Sequence, residues 1–149
     1  MTSSFAPSTH TRPMASITRE AATLLVGQAQ AAARSLGLQV AVAITDATGE
    51  LKAFERDDGA RFLTASIAVD KAWTATSYGV STRQWTAILE RPMAAQLAHR
   101  PRFVAVGGGC PVFDGEQLVG GIGISGGDAE QDHQVAERAI AALGLAASA

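Results

Sequence analysis

The sequence has little that would announce a chemistry. It holds one cysteine, Cys110, so it can form no intrachain disulfide and no cysteine-built zinc cluster. Its 3 histidines, His10, His99 and His133, have no metal-ligand spacing between them, and no dedicated metal site is expected. A formal net charge of −2 supplies no basic surface for nucleic acid or an anionic membrane. No apolar run is long enough to span a bilayer. Residues Met1 to Ala15 (MTSSFAPSTHTRPMA) carry His10 and Arg12 but no apolar segment, so they do not read as a secretory signal. Residues 1–16 are expected to be a flexible tail and the protein to be cytoplasmic. No GxxxxGK[ST] loop and no βαβ dinucleotide fingerprint occurs.

What is present fits one domain, expected over residues 17–144, in a chain of 149 residues. Ala22, Leu25, Ala29, Ala32 and Leu36 recur at helical spacing and predict a helix over Thr18 to Leu36, with Thr18 as N-cap and Gly37 after its end. Leu38 to Asp46 reads as a strand in which Val40, Val42 and Ile44 alternate with small residues. A tight turn leads to a second strand, Glu50 to Arg56, so the pair must be an antiparallel hairpin. Ala60 to Tyr78 predicts a helix with an alanine stripe. Thr82 to Leu89 predicts a short one capped by Thr82. Phe103 to Val106 reads as a short strand. Pro111 to Phe113 and Gln117 to Ser125 form a hairpin across Asp114-Gly115. Asp128 and Gln131 have capping-box spacing and open a last helix to Leu143. Residues 145–149 are expected to fray. Hairpins rather than βαβ crossovers join the strands, which predicts an α+β sandwich with helices packed on an antiparallel sheet.

The residues that could carry chemistry gather in Phe103 to Asp132, where two glycine-rich loops bracket the second hairpin. Gly107 to Gly109 and Ser125 to Gly127 could aim backbone amides at one anion, the second loop adding a helix N-terminus. The same glycines could serve only tight turns and close packing. Lys71 sits mid-helix among alanines, either reaching a pocket floor or snorkelling to water. Arg56 could clamp a carboxylate or pair with Asp57 and Asp58. Asp46 ends a strand, where aspartate usually caps its own turn. Gln131, Asp132 and His133 occupy the first turn of the last helix. His133 is an acid, a base, a ligand or a solvated residue. Cys110 follows the first glycine loop, where amides could lower its pKa, although a small buried thiol is the favoured description.

With these segments in place the chain resembles the GlcG/HbpS-type, or haem-degrading-domain, family, which includes the C-terminal domain of PduO-type proteins. The resemblance runs from about Ile17 to Gly144. It rests on VAVAITDATGEL (Val40 to Leu51), ERDDGA (Glu55 to Ala60), DKAWTA (Asp70 to Ala75), GGGCP (Gly107 to Pro111) and LVGGIGISGGDAEQD (Leu118 to Asp132), in that order. It implies a profilin-like sandwich with a five-stranded antiparallel sheet, and a homo-oligomer built from dimers. It also implies a pocket among Asp46, Arg56, Gly59, Lys71, Gly108, Gly109, Pro111, Gly121, Ser125, Gly126, Gln131 and Asp132. The chain departs from the family pattern at Asp57, Cys110 and His133.

The first functional expectation is a small-ligand-binding protein that takes haem or a related tetrapyrrole. Its axial donor would come from His99, His133, Cys110, Met93 or Tyr78, and its propionates would meet Arg56, Lys71 or the loop amides. The second is a cofactor-independent isomerase, tautomerase or lyase on a small organic acid, in which Lys71, Asp132 or His133 moves a proton. Asp46, Arg56, Gly108, Gly109, Cys110, Ser125, Gly126 and Gln131 would then line the ligand. The third is a non-catalytic accessory oligomer. Haem or small-ligand binding is placed first because the resemblance points there, with the enzyme next because polar residues cluster beside the amide-rich loops.

Overall fold

The computed structural model describes residues 8–149; the part of the expected flexible tail before residue 8 lies outside the described residues. Four helices and four strands follow in the order α1 (Arg19–Ser35), β1 (Ala41–Asp46), β2 (Leu51–Arg56), α2 (Leu63–Tyr78), α3 (Thr82–Ile88), a 3-10 turn (Ala95–His99), β3 (Gly109–Asp114), β4 (Gln117–Ser125) and α4 (Ala129–Ala142). The strands form one antiparallel sheet in the order β2-β1-β4-β3.

The fold is α+β, and among the described residues the sheet has four strands, without the expected fifth. Residues 103–106 join no sheet. The Val104 amide donates to Thr74 Oγ1 at 3.1 Å, and the Thr74 hydroxyl donates to Arg102 O at 3.2 Å. A helix side chain therefore satisfies the backbone groups that a sheet edge would have used. Beyond Gly144, expected to fray, Ala146 exchanges both backbone hydrogen bonds with Phe113, at 2.7 and 3.0 Å.

The strand alternation sorts the two faces of the sheet. Val40, Val42, Ile44, Cys110, Val112, Ile122 and Ile124 face α1 and α4 and form the main core with Leu25, Ala29, Val135, Ala136 and Ile140. Each fully buried Ile or Leu there stabilises the fold by about 1.5–3 kcal/mol. Ala41 and Ala43 face the other way, against Ala68 and Ala72 of α2. On that face the helix lies almost on the backbone of β4. A Cβ placed on Gly123 would stand 1.9 Å from Ala68 O, and one on Gly121 would stand 2.7 Å from Ala72 O. Glycine is required in β4 because the alanine stripe of α2 leaves no room for a side chain between them.

Two helix starts differ from expectation. Helix α2 begins at Leu63, since Ala60 to Phe62 are spent on a turn in which Thr64 N donates to Arg61 O and Ala65 N to Phe62 O. Helix α3 is capped by Ser81, which forms a capping box with Gln84, so Thr82 is released to point inward. The last helix is capped as its sequence predicts: the Asp128 side chain accepts from Gln131 N, and the Gln131 side chain accepts from Asp128 N.

Candidate functional site

The glycine loops, α2 and the start of α4 converge on a buried ion pair. Helices α2 and α4 lie on opposite faces of the sheet, yet Lys71 of α2 reaches Asp132 of α4. Lys71 Nζ donates to Ile124 O at 2.9 Å and to Asp132 Oδ2 at 3.2 Å. Gly108 opens the passage. It has φ +128°, and a Cβ there would stand 2.8 Å from Lys71 Nζ, 2.8 Å from Asp132 Cβ and 2.5 Å from Ile124 O. The next residue is equally confined, because Gly109 N donates to the buried Thr82 Oγ1 at 2.8 Å. Ser125 and Gly126 close the end of β4 beside this pair, and a Cβ on Gly126 would stand 2.4 Å from Gln39 O.

The second glycine loop does hold an anion, and the anion is the protein's own. Gly127 N donates to Asp132 Oδ1 at 2.8 Å. Asp128 N and Gln131 N are taken by the capping box. Gln131, expected to touch a ligand, uses its Oε1 in this cap. Burial is the largest influence on both members of the pair. It lowers the Lys71 pKa against the attraction of Asp132, and it raises the Asp132 pKa against the attraction of Lys71 and the Gly127 amide. Both shifts favour the neutral forms.

On the α4 side of the sheet Cys110 meets His133. Cys110 Sγ lies 3.6 Å from His133 Nδ1, and His133 Nε2 is hydrogen-bonded to Glu137. Arg83 Nη1 lies 3.0 Å from Glu130 Oε1, and Arg83 Nη2 lies 3.9 Å from Glu137 Oε1. A polar chain thus runs from the core to the surface. Burial pushes the Cys110 thiol up to about 12; Glu137 adds to the shift and Arg83 opposes it. The prospect that loop amides lower this pKa is corrected: Cys110 is a ladder residue of β3, opposite Ile122, and is fully buried.

Asp46 and Arg56 stand apart from the ion pair. Asp46 Oδ1 accepts from Thr48 N at 2.9 Å, Thr48 Oγ1 at 2.7 Å and Glu50 N at 3.2 Å, which makes it the cap of its turn. Slight burial acts to raise its pKa, and these hydrogen bonds hold it below the ordinary value. Asp46 pairs with Gly120, whereas Ala41 at the other end of β1 pairs with both Ser125 and Arg56. The strand rise separates those ends by roughly 17 Å. Arg56 is exposed and donates to Ala60 O.

Sequence reasoning missed Thr74, Thr82, Arg83, Glu137 and Arg102. Only Glu137 carried a local signal, four residues after His133 on one helix face. Arg102 lines a groove of about 430 Å³ between α2 and β2, whose floor is Leu51, Phe54, Ala65 and Val69, with Asp70 at the rim. A second groove of about 340 Å³ lies beside Gly107, between Arg83 and Thr86 of α3 and Ala129 and Glu130 of α4. Among the described residues no helix is long and apolar enough to cross a membrane, and no group of three or more His, Cys, Asp or Glu is placed to hold a metal ion.

The model of the family described as haem degrading protein HbpS-like matches residues 17–141. The corrinoid adenosyltransferase PduO of Citrobacter freundii is 35% identical over 117 residues, which cover 76% of this chain and 35% of that protein. The chain thus spans about a third of the length of that relative. A crystal structure of PduOC in complex with haem superimposes with a TM-score of 0.83 at 30% identity, covering 90% of this chain and 99% of that one. The crystal structure of HbpS superimposes with a TM-score of 0.86 at 32% identity, covering 95% and 99%.

Proposed function

The chain belongs to the HbpS-like family, and from that premise we propose that it is a small-ligand-binding protein whose ligand is haem or a related tetrapyrrole. The observation that carries the reading is the α2–β2 groove. Leu51 is 51% and Phe54 41% exposed, an apolar surface of the kind a porphyrin face covers. Arg102 stands at its rim as a cation for a propionate. Burial withdraws two of the five candidate donors, while Met93 and Tyr78 stay exposed along with His99. Cys110 and His133 are buried against each other and are withdrawn from any surface ligand. His99 is exposed at the end of the 3-10 turn, three residues before Arg102 in the chain. When bound, the iron porphyrin would supply the redox and gas-binding chemistry. The chain's own part is to cover one ring face, to hold a propionate and to offer an imidazole. In this reading the protein works in the cytoplasm as a homo-oligomer.

The test is a haemin titration of the purified protein followed through its Soret band. A saturable shift at one haemin per chain supports the reading. A featureless, non-saturating titration overturns it.

One observation favours a second reading, a proton-transferring enzyme on a small organic acid. Burial disfavours the charged forms of both Lys71 and Asp132. The pair sits behind Gly108, next to the Gly107 groove that Arg83 lines. An acid entering there would have to displace Glu130 from Arg83 and open the glycine loop to reach Lys71 Nζ. A K71M protein that keeps the wild-type fold, although less stable, yet loses all turnover of such acids would support it. Unchanged turnover would remove it.

A further inference from the structure

Arg102 is the one residue other than glycine with positive φ among the described residues, at φ 70°. A branched or long side chain rarely takes this conformation, and it persists only where surrounding contacts fix it. Three consecutive interactions from α2 do so. Arg102 Nε donates to Asp70 Oδ1 at 3.0 Å. The guanidinium carbon lies 4.6 Å from the centre of the Trp73 ring. The fully buried Thr74 holds Arg102 O and Val104 N on either side. Arg100 adds a second guanidinium over the same indole at 5.9 Å.

These contacts use the Nε edge and one face of the guanidinium. Nη1 and Nη2 donate to nothing among the described residues, and the side chain is 45% exposed. The strained backbone therefore presents two parallel N–H donors at the rim of an apolar groove. Among the described residues Asp70 is the only carboxylate lining that groove, and it is already committed to Nε.

We infer that Arg102 is a prepositioned carboxylate receptor, and that the α2–β2 groove selects amphipathic carboxylates, with the apolar body on Leu51, Phe54 and Val69 and the carboxylate bidentate on Nη1 and Nη2. The inference rests on the groove being the ligand site proposed above, but not on the ligand being a tetrapyrrole. A planar fork that is already oriented loses little freedom on binding, so the discrimination falls on the carboxylate itself.

The experiment compares a carboxylate with its uncharged analogue in two body shapes. Fluorescence titrations use protoporphyrin IX against its dimethyl ester, and calorimetry uses dodecanoate against dodecanol. The proteins are wild type, R102Q, R102K and R102G. Wild type is expected to prefer the acid at least about tenfold in each pair it binds. R102Q and R102G should bring the acid down to the affinity of the uncharged analogue and leave that analogue unchanged. R102K should recover part of the preference. R102G also frees the φ angle, so it should melt close to wild type while losing the preference, which a purely structural arginine would not do. Binding of dodecanoate alone, dependent on Arg102, would uphold the receptor and overturn the tetrapyrrole reading. Equal affinity of wild type for acid and analogue in both pairs, or an undiminished preference in R102Q, would overturn the receptor.

Discussion

Lys71 Nζ and Asp132 Oδ2 stand 3.2 Å apart with side chains only 3% and 2% exposed, and they join two helices that lie on opposite faces of the sheet. Taking two charges out of water costs several kcal/mol, so such a pair stabilises little over an apolar one but is expensive to break.

Removing one partner at a time should therefore cost about 3–5 kcal/mol, with opposite pH dependence. In D132N, Lys71 is buried without its counter-charge and its pKa falls further below 10.5. Between that lowered value and 10.5 the unfolded chain binds more protons, so stability rises with pH. In K71M, the Asp132 pKa climbs further above 3.8. Between 3.8 and the raised value the folded chain binds more protons, so stability falls as pH rises. Urea unfolding at about pH 5, 7 and 9 reads both slopes. A pH profile no different from that of the wild type in both variants would show that the groups are not coupled.

The closeness of α2 to β4 makes a second prediction. G123A should destabilise the protein by about 3 kcal/mol or more, because the new methyl meets the Ala68 carbonyl and neither backbone can yield. G27A is the control. Gly27 is exposed on α1, a Cβ there meets nothing within 4 Å, and alanine should gain about 1 kcal/mol of helix propensity. Thermal melts of the two should move in opposite directions.

The elements whose signals are local were legible in the sequence. The alternation of Val40, Val42 and Ile44 with alanines assigned both faces of β1, and Asp128 with Gln131 placed the start of α4. The fifth strand failed because an apolar run at 103–106 does not reveal that Thr74 satisfies its backbone. Lys71 and Asp132 could each be singled out, but their pairing spans 61 residues and depends on Gly108 leaving a gap. Gln131 was legible as a capping residue through its spacing to Asp128. Arg102 carried no signal, since its strain and its stacking on Trp73 exist only once α2 is in place.

Cys110 should be inert in the folded protein. Its side chain is fully buried and its pKa stands at about 12, so near neutral pH the thiolate is a negligible fraction. A disulfide reagent should label it only as fast as the protein opens, and at the full rate in denaturant. Fast native labelling would mean that the His133–Glu137 chain delivers a thiolate to solvent.

The same burial decides which of the candidate donors cannot ligate haem iron. An axial donor must present a lone pair to a ring that occupies a surface groove. His133 Nδ1 faces Cys110 and its Nε2 is held by Glu137, so neither nitrogen is available without breaking into the core. Cys110 lies in the main core beside Val112 and Ile122. His99 is exposed and belongs to the same stretch as Arg100 and Arg102, the two cations over Trp73. His99 is the imidazole among the exposed candidates His99, Met93 and Tyr78, so H99A is expected to lose the shifted Soret band of the haemin complex, whereas C110A and H133A keep it. C110A and H133A should melt lower, by about 1–3 kcal/mol of stability, because one leaves a core cavity and the other strands a buried thiol. The opposite pattern, a Soret band lost in H133A and kept in H99A, would place the iron at the Cys110–His133 contact and require α4 to open before haem can bind.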